Sequence, residues 1–253
     1  MDFRGGGVTS PRVAIVTVCR NALSSVATTI ESVVRQQYPK KFYIVIDGAS
    51  TDGTREYLHE RRASIDALIC EADKGIYDAM NKAIDLCPAD SWVIFLNAGD
   101  SFSANDVLER LAGNFLEKAD VVIGDVIIES SGGNRRVAAN LRRKYEMPAC
   151  HQAMLFRASL LKTFKFNLDY AAGADFDCFV RMRNHVGRSR ISLYPGVISQ
   201  VAPEGYTARN EGRLRRDYFQ IIGRQSGRFA AWRWLLERKV RQCIRKWLPY
   251  RAA

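Results

Sequence analysis

Long hydrophobic runs are missing from this 253-residue sequence. The longest apolar stretches, such as residues 121–128, contain Gly124 and Asp125 and are far shorter than the roughly 20 residues of a membrane-spanning helix. The glycine-rich start, residues 1–11, has no apolar stretch either, so no secretory signal is predicted. These absences predict a protein that works in the cytoplasm.

Paired cysteines and clustered histidines are also missing. The six cysteines are widely spaced without a Cys-x-x-Cys pair, and none of the three histidines stands at the spacing of a zinc finger. Neither a disulfide framework nor a zinc site is therefore predicted. Since cysteine is among the residue types most often buried, we expect reduced, mostly buried thiols in a reducing cytoplasm.

Positive charge is concentrated at one end of the chain. The sequence has 38 Lys and Arg against 27 Asp and Glu, a net charge of +11. Residues 209–253 hold 13 of the basic and 3 of the acidic residues, a net +10, which leaves residues 1–208 at +1. With 47% apolar residues, a chain of this length can fill a sizeable core. We predict a near-neutral globular domain, residues 1–208, followed by a basic helical extension, residues 209–253.

Short apolar segments rich in β-branched residues alternate with helical patterns. Such segments predict buried strands at residues 13–18, 42–46, 92–96 and 121–128. After the first strand, apolar residues recur at helical spacing, and Asn21 is expected to cap that helix: Leu23, Val26, Ile30 and Val33. Strands that alternate with helices form βαβ units, so the predicted fold class is α/β, a mostly parallel mixed sheet flanked by helices.

Polar and acidic side chains gather where the predicted strands end. Asp47 and Asp52 follow the second strand, Asp73 and Lys74 precede a helix, and Asn97 and Asp100 follow the strand at 92–96. Ligands of open parallel sheets bind outside the carboxyl ends of the strands. Converging carboxylates repel one another unless a cation lies among them, and Mg²⁺ or Mn²⁺ held by few protein oxygens completes its shell with phosphate oxygens. A metal-bridged diphosphate is therefore the leading hypothesis, while the alternative makes Asp47, Asp52 and Asp100 turn and capping residues only.

Four motifs, in order along the chain, resemble those of the family 2 glycosyltransferases. They are Arg20-Asn21-Ala22, residues 47–54 (DGASTDGT), residues 73–82 (DKGIYDAMNK) and residues 95–100 (FLNAGD). The resemblance spans about residues 11–184 and is most similar to the bacterial branch that builds capsule, lipopolysaccharide or colanic-acid-like exopolysaccharide. It implies the A-type glycosyltransferase fold (GT-A) and an inverting enzyme. Such an enzyme moves a sugar from a nucleotide-diphospho-sugar, here of the UDP type, to a hydroxyl of a glycan or polyprenyl-linked acceptor.

The resemblance also implies roles for residues on the donor side. Thr17, on the first loop, lies where the family contacts the nucleotide. Asp47 matches the acid that faces the nucleobase, and Asp52 matches the second acid of the same loop. Asp73, which stands beside Lys74, matches the acid that closes over the uridine. Asp100 matches the last acid of the D-x-D-like motif, which holds Mg²⁺ or Mn²⁺ on the diphosphate. Asn97 replaces a further acid of that motif and is expected to substitute for its ribose contact.

The acceptor side requires one general base, because the acceptor hydroxyl must lose a proton as it attacks the sugar. Residues 173–177 resemble the family segment that carries this base, with Ala174 where Glu is frequent and Asp175 at the base position. His151 and Gln152 resemble a Cys-His-Gln segment ahead of the acceptor site. The alternatives are a helix N-terminal charge for Asp175 and a hydrogen-bonded structural role for His151.

The basic extension contains an amphipathic helical pattern at residues 229–248. One stripe is apolar: Trp232, Leu236, Val240, Cys243 and Trp247. The other side is cationic: Arg238, Arg241 and Arg245. Such a helix favours an anionic membrane surface, here the inner face of the cytoplasmic membrane, as a partner. The alternative is a helix that packs on the core and leaves a solvated basic face.

Two other functions deserve comparison with sugar transfer. A nucleic-acid-binding protein would use the basic extension. However, that charge coincides with a tryptophan stripe, and the acidic crevice would repel phosphates without a metal, so we predict no nucleic-acid partner. A pseudoenzyme that binds only nucleotide is the second alternative, supported by Asn97 and Ala174 at positions where the family often has acids.

Overall fold

The β-branched segments form one sheet in the computed structural model, which describes residues 10–130, 132–202 and 210–247. The strands are β1 (Val13–Cys19), β2 (Lys41–Asp47), β3 (Ala67–Cys70), β4 (Trp92–Phe95), β5 (Ser101–Phe102), β6 (Val121–Ile128), β7 (Arg135–Val137), β8 (Met154–Arg157) and β9 (Ile191–Val201). The helices are α1 (Leu23–Val34), α2 (Thr54–Glu60), α3 (Ile76–Leu86), α4 (Val107–Asn114), α5 (Ala158–Phe164), α6 (Ala174–Val186), α7 (Glu211–Ser226) and α8 (Arg228–Trp247). A 3₁₀ turn at His151–Ala153 precedes β8.

The sheet is parallel in its first half and mixed in its second. Within the described ranges the strand order is β3-β2-β1-β4-β8-β6-β9-β5, with β7 paired to β6. Strands β1 to β4 run parallel, while β8 is antiparallel to both β4 and β6. The predicted α/β fold with a mostly parallel mixed sheet is confirmed. Its parallel half places the loops after β1, β2 and β4 at one edge.

Helix α1 follows the predicted periodicity but begins differently from the prediction. Val26, Ile30 and Val33 are buried, as their spacing indicates, whereas Leu23 of the same predicted stripe is 43% exposed. Asn21 does not cap the helix; it adopts a left-handed φ of 50°, and Ala22 stands at the N-cap. The carboxylate of Asp52 accepts the Leu23 N–H instead, at 3.1 Å. The cap therefore comes from another loop, which sequence spacing along the helix does not indicate.

The two C-terminal helices share the core of the sheet domain. Tyr218 of α7 stacks on Phe176 of α6, with ring centroids 4.1 Å apart, and also on Trp234 of α8. Tyr218, Trp234 and Ala231 are buried in the same hydrophobic cluster as the strands. Position 209, where the basic extension was predicted to begin, lies outside the described residues, as does Leu248 at the end of the predicted helix.

The orientation of α8 contradicts the alternative in which its apolar stripe packs on the core and its cationic side is solvated. Arg238 and Arg241 turn toward the domain, where they pair with Glu211 at 3.1 Å and Glu146 at 2.7 Å. The apolar stripe points outward instead, with Trp232 59% exposed. The buried aromatic residue Trp234 sets this rotation, because its side chain occupies the core. None of the helices in the described ranges has the length and hydropathy needed to cross a bilayer.

Candidate active site

The loops after β2 and before α3 approach each other closely at the carboxyl edge of the sheet. Gly48 is buried, and a Cβ atom at this position would lie 2.3 Å from Oδ2 of Asp73. Only glycine therefore leaves the Asp73 carboxylate in its place over the β2 loop. Asp73 also accepts the Gly75 N–H at 2.9 Å. The structure thus brings Asp73 to the loop that begins with Asp47, as the sequence predicts.

Asp47 closes the turn that follows β2. Its side chain is fully buried, and its carboxylate accepts the backbone N–H of Ser50 at 3.0 Å and the Ser50 hydroxyl. Ser50 in turn accepts the Asn21 N–H, which joins this turn to the loop after β1. Asp47 therefore shapes the floor of the site, in agreement with the turn role that the sequence left open.

Asp52 links the loop after β2 to two helices. It is exposed, and its carboxylate accepts hydrogen bonds from the N–H and hydroxyl of Thr54 as well as from the Leu23 N–H. The hydrogen bond from the Thr54 hydroxyl, followed by the backbone contacts, holds the pKa of Asp52 below its usual value. Asp52 is thus an ionised residue that fixes the start of α1 and α2.

Thr17 lies inside β1 and not on the loop after it, which corrects the predicted position. Its side chain is fully buried, its hydroxyl donates to the Leu96 carbonyl at 2.8 Å, and it accepts the Tyr43 hydroxyl at 3.0 Å. These contacts tie neighbouring strands together within the core. Lys74, by contrast, is exposed at the start of α3, where its N–H donates to Asp78 at 3.0 Å.

The buried Asp100 and the half-buried Gln152 form a hydrogen-bonded pair beyond the end of β4. Asp100 is 6% exposed; its Oδ2 accepts Gln152 Nε2–H at 2.9 Å, and its Oδ1 accepts the Ala202 N–H at 3.3 Å. Burial raises the pKa of Asp100 above its usual value, although the hydrogen bond from Gln152 and the nearby His151 oppose the shift. A cation at this carboxylate would favour its ionised form.

Asn97 has a buried oxygen without a hydrogen-bond partner. Its Nδ2 lies 3.3 Å from Nε2 of His151, but its Oδ1 finds no donor in the part of the chain that the structure describes. A buried, unpaired amide oxygen is rare, since it loses the hydrogen bonds that it makes in water. Asn97 therefore presents a free hard oxygen near Asp100.

Asp175 lies in the first turn of α6, and its two carboxylate oxygens have different surroundings. Oδ1 accepts the Phe176 N–H at 2.8 Å and the Tyr77 hydroxyl at 3.3 Å. Oδ2 faces Nδ1 of His151 at 3.7 Å, which is longer than a hydrogen bond. The side chain as a whole is 17% exposed.

His151 connects the predicted base to the residues after β4. If Asn97 Nδ2–H donates to Nε2, the proton of the neutral ring lies on Nδ1 and points toward Asp175. Gln152, the next residue of the same 3₁₀ turn, contacts Asp100. The structure therefore brings together Asn97, Asp100, His151, Gln152 and Asp175.

Asp217 of α7 holds the segment that leads into α6, and the sequence analysis did not identify it. Its Oδ2 accepts the N–H groups of Ala172 at 2.8 Å and of Gly173 at 3.0 Å. A Cβ atom at Gly173 would lie 2.8 Å from Cβ of Asp217, so glycine permits this approach. The contact crosses 44 residues of chain, and no local motif marks it. Tyr77 also went unrecognised, although it lies within the 73–82 motif.

A divalent cation fits this site only with help from a substrate. The described residues contain no group of three or more His, Cys, Asp or Glu side chains that could hold a metal ion. The Asp100 carboxylate and the unpaired Asn97 oxygen are nevertheless hard oxygen donors, the type that Mg²⁺ and Mn²⁺ prefer. Such ions are commonly bound by one or two protein oxygens together with substrate phosphates. The donor set therefore matches a metal shared with a diphosphate.

The half-parallel sheet has acidic loops at its carboxyl edge, Asp100 after β4 and Asp175 in the first turn of α6. This architecture is the A-type glycosyltransferase fold (GT-A). The family model "Glycosyl transferase family 2" matches residues 14–180. The chain belongs to glycosyl transferase family 2 and is a glycosyltransferase. This membership confirms the resemblance drawn from the four motifs.

Two relatives that are named as glycosyltransferases support the assignment to this family. A PGL/p-HBAD biosynthesis glycosyltransferase of Mycobacterium tuberculosis (strain ATCC 25177 / H37Ra) is 33% identical over 180 residues, which cover 68% of this chain and 70% of the relative. The putative teichuronic acid biosynthesis glycosyltransferase TuaG of Bacillus subtilis (strain 168) is 30% identical over 112 residues, 43% of this chain and 44% of TuaG.

Solved structures share the fold at low sequence identity. S. aureus TarS 1-349 in complex with UDP superimposes with a TM-score of 0.65 at 16% identity, covering 84% of this chain and 65% of that chain. Mannosyltransferase PcManGT from Pyrobaculum calidifontis, in complex with GDP-Man and Mn²⁺, gives a TM-score of 0.64 at 18% identity, covering 85% and 64%. The chain thus spans slightly less than two thirds of the length of these structures.

Proposed function

We propose that this enzyme is an inverting glycosyltransferase of bacterial cell-envelope glycan or glycolipid assembly. It uses a nucleotide-diphospho-sugar of the UDP type and a hydroxyl of a glycan or polyprenyl-linked acceptor. The observation that carries the proposal is the cluster in which one 3₁₀ turn contacts both Asp100 and Asp175. The names of the mycobacterial and Bacillus relatives support the envelope pathway.

Asp175 is the proposed general base. In an inverting transfer the acceptor hydroxyl attacks the anomeric carbon from the side opposite the leaving nucleoside diphosphate and gives up its proton. Oδ1 of Asp175 is occupied by the Phe176 N–H and the Tyr77 hydroxyl, so Oδ2 takes the proton. His151 stands 3.7 Å from Oδ2 and, with Gln152 in the same turn, is proposed to line the acceptor side.

The donor side is proposed to use Asp100 and Asn97 as oxygen ligands of Mg²⁺ or Mn²⁺. A bound cation would neutralise charge on the departing diphosphate, so that no protonated side chain is needed there. Gln152 fixes the Asp100 carboxylate through its 2.9 Å hydrogen bond. Asn97 is also proposed to contact the ribose in place of the acidic residue that usually does so in the family.

The remaining donor contacts are assigned to the loops after β1 and β2 and before α3. Asp47 and Asp52 are proposed to face the nucleoside while they hold their own loops in shape, and Asp73 with Lys74 closes over it. Thr17 is proposed to support this region from within the sheet, since both of its hydrogen bonds are internal. Residues 1–208 carry this chemistry, and residues 209–253 form the extension that supports it.

Thermal stabilisation by donors tests the proposal directly. We expect a UDP-sugar to raise the melting temperature in the presence of Mn²⁺ or Mg²⁺, because a ligand that binds only the folded state stabilises it. The panel compares UDP-, GDP- and TDP-sugars with and without the divalent ion. The Asp100→Asn variant should lose the divalent-dependent part of the shift. If no nucleotide sugar stabilises the protein, the donor assignment is wrong.

A further inference from the structure

The outward face of α8 is an apolar stripe without a covering element among the described residues. Phe229, Trp232, Leu236 and Val240 are 83%, 59%, 63% and 49% exposed. On the opposite side of the same helix Ala231 and Trp234 are 0% and 2% exposed and pack in the core. The helix is therefore anchored by one apolar face and presents a second one to the outside. Contiguous exposed apolar surface of this kind usually marks an interaction site.

The orientation of the stripe is fixed by contacts within the protein. The Trp232 ring meets Phe219 of α7 edge-on, with centroids 5.2 Å apart. The ion pairs of Arg238 with Glu211 and of Arg241 with Glu146 hold the opposite side of α8 against the domain. Because the helix is held on that side, the exposed stripe needs no rearrangement to meet a partner.

Cationic side chains surround this stripe. Arg228, Arg233 and Lys239 are exposed along α8, and only Arg233 pairs with an acid of the same helix, Glu237, at 3.1 Å. Between α7 and α8 lies a groove of about 220 Å³ whose lining contains Arg215, Arg238 and Lys239 and a single acid, Glu211. Residues 209–253 carry +10 of the net charge of +11. The surface therefore combines an apolar centre with a strongly positive rim.

We propose that this face of α8 docks on an anionic phospholipid membrane. The four exposed apolar side chains would enter the boundary between headgroups and acyl chains, which suits an amphipathic helix lying in the membrane plane. The exposed Arg228 and Lys239 on the same helix would contact lipid phosphates. This inference goes beyond sugar transfer and does not depend on it.

The charge pattern favours a lipid surface over a second copy of the chain. A two-fold contact between identical stripes would place the same basic rims against each other, which is repulsive. Nucleic acid would match the positive charge but not the apolar centre with its exposed Trp232. An anionic bilayer complements both the rim and the centre.

Vesicle flotation with the full-length protein tests this docking without donor or acceptor. Neutral phosphatidylcholine vesicles are compared with vesicles that contain about 30 mol% phosphatidylglycerol, at about 0.05 M and about 0.5 M salt. We expect binding to the anionic vesicles only, reduced about tenfold or more at high salt. A Trp232→Gln/Leu236→Gln double variant should lose about tenfold or more of the binding, and Lys239→Glu should weaken it in a salt-dependent way.

Leu168→Gln is the matched control, because Leu168 is 49% exposed but lies outside α8. It should bind vesicles like the parent, and all variants should keep the parental melting temperature and donor-induced stabilisation. Absence of binding to anionic vesicles at low salt would overturn the proposal. Equal binding of the double variant would overturn it too, as would a dimer in light scattering that the double variant abolishes while vesicle binding is absent.

Discussion

The two carboxylate oxygens of Asp175 differ, because one is held by hydrogen bonds and the other is left for the proposed proton transfer. One oxygen is held by the Phe176 N–H and the Tyr77 hydroxyl, which fixes the side-chain rotamer. The other oxygen faces His151 at 3.7 Å and carries no short hydrogen bond to it. The proposed base would thus be oriented before the acceptor arrives, which reduces the reorganisation that proton transfer would require.

Replacing Asp175 by Asn removes the proton acceptor while leaving a side chain of the same shape. We expect kcat to fall by about 10²–10⁴-fold, with the donor-induced rise in melting temperature unchanged. Initial rates of sugar transfer and thermal shifts measure the two effects. Asp169→Asn, a change of an exposed acid, is the matched control and should act like the parent. Near-parental transfer by Asp175→Asn, with only a small loss of stability, would instead assign the residue to the helix terminus.

Asp100 should make the metal-free protein sensitive to pH. Burial raises its pKa in the folded state above the value of about 3.9 expected in the unfolded chain. The unfolded state therefore releases this proton first, and the contribution of Asp100 to stability is present at low pH and declines as pH rises through the raised pKa. Urea unfolding in chelator should follow that decline in the parent. It should be absent in Asp100→Asn, and an identical pH dependence of both proteins would contradict the assignment.

At the scale of elements, α7 controls where α6 begins. Both hydrogen bonds from the segment before α6 end on one oxygen, Oδ2 of Asp217. Asp217 is 9% exposed, so the two N–H groups have little access to water if this oxygen is removed. The position of Asp175 two residues further along the chain depends on this contact.

Asp217→Ala should therefore reduce both stability and turnover. Each buried N–H left without an acceptor costs about 1–3 kcal/mol in the free energy of unfolding, and displacement of Asp175 should lower kcat about tenfold or more. Asp217→Asn keeps one oxygen that can accept both N–H groups, so it should restore most of the loss. Donor KM should change little in either variant. If Asp217→Asn is as impaired as Asp217→Ala, the negative charge and not the positioning is responsible.

The elements were predictable where local pattern decides them. The strands β1, β2, β4 and β6 and the helix α1 follow from continuous apolar runs and from helical spacing, because each buries its apolar side chains against the same sheet. Two-residue β5 and three-residue β7 are too short to leave such a pattern. The family resemblance placed Thr17 on a loop, although the apolar run at residues 13–18 already includes it, and the structure keeps it inside β1.

The site was predictable as an edge of the sheet but not as a set of contacts. The motifs place Asp47, Asp73, Asp100 and Asp175 at strand or helix ends, and the structure brings Asp100 and Asp175 to one turn. The capping of α1 by Asp52 and the support from Asp217 join residues distant in sequence. Such partners depend on tertiary packing, which spacing along one element does not encode. The same holds for α8, whose rotation is set by Trp234.

For the whole molecule, the shared core predicts how the extension and the sheet domain unfold. Tyr218 lies between Phe176 and Trp234, so α6, α7 and α8 should lose their structure together. We expect a single urea transition with the same midpoint by circular dichroism and by tryptophan fluorescence. Tyr218→Ala should lower the free energy of unfolding by about 3–5 kcal/mol, as truncation of a buried aromatic side chain does.

Phe229→Ala is the control for this experiment, because Phe229 is 83% exposed and contributes little to the core. It should shift the midpoint only slightly. Two separate transitions, with the earlier one affected by Tyr218→Ala alone, would mean that the extension folds independently of the sheet domain. The net charge of +10 carried by residues 209–253 would then belong to a separable unit.

The attachment of α7 to the start of α6 has a geometric consequence for the choice of acceptor. The helix pair cannot tilt relative to Asp175 without breaking the hydrogen bonds of Asp217 and the stack of Tyr218 on Phe176. If α8 rests on a bilayer, the crevice is therefore held at a set height above the lipid headgroups. The distance between the lipid and the receiving hydroxyl would then determine how well an acceptor reaches the crevice. Acceptors with too few or too many intervening sugars should therefore react slowly.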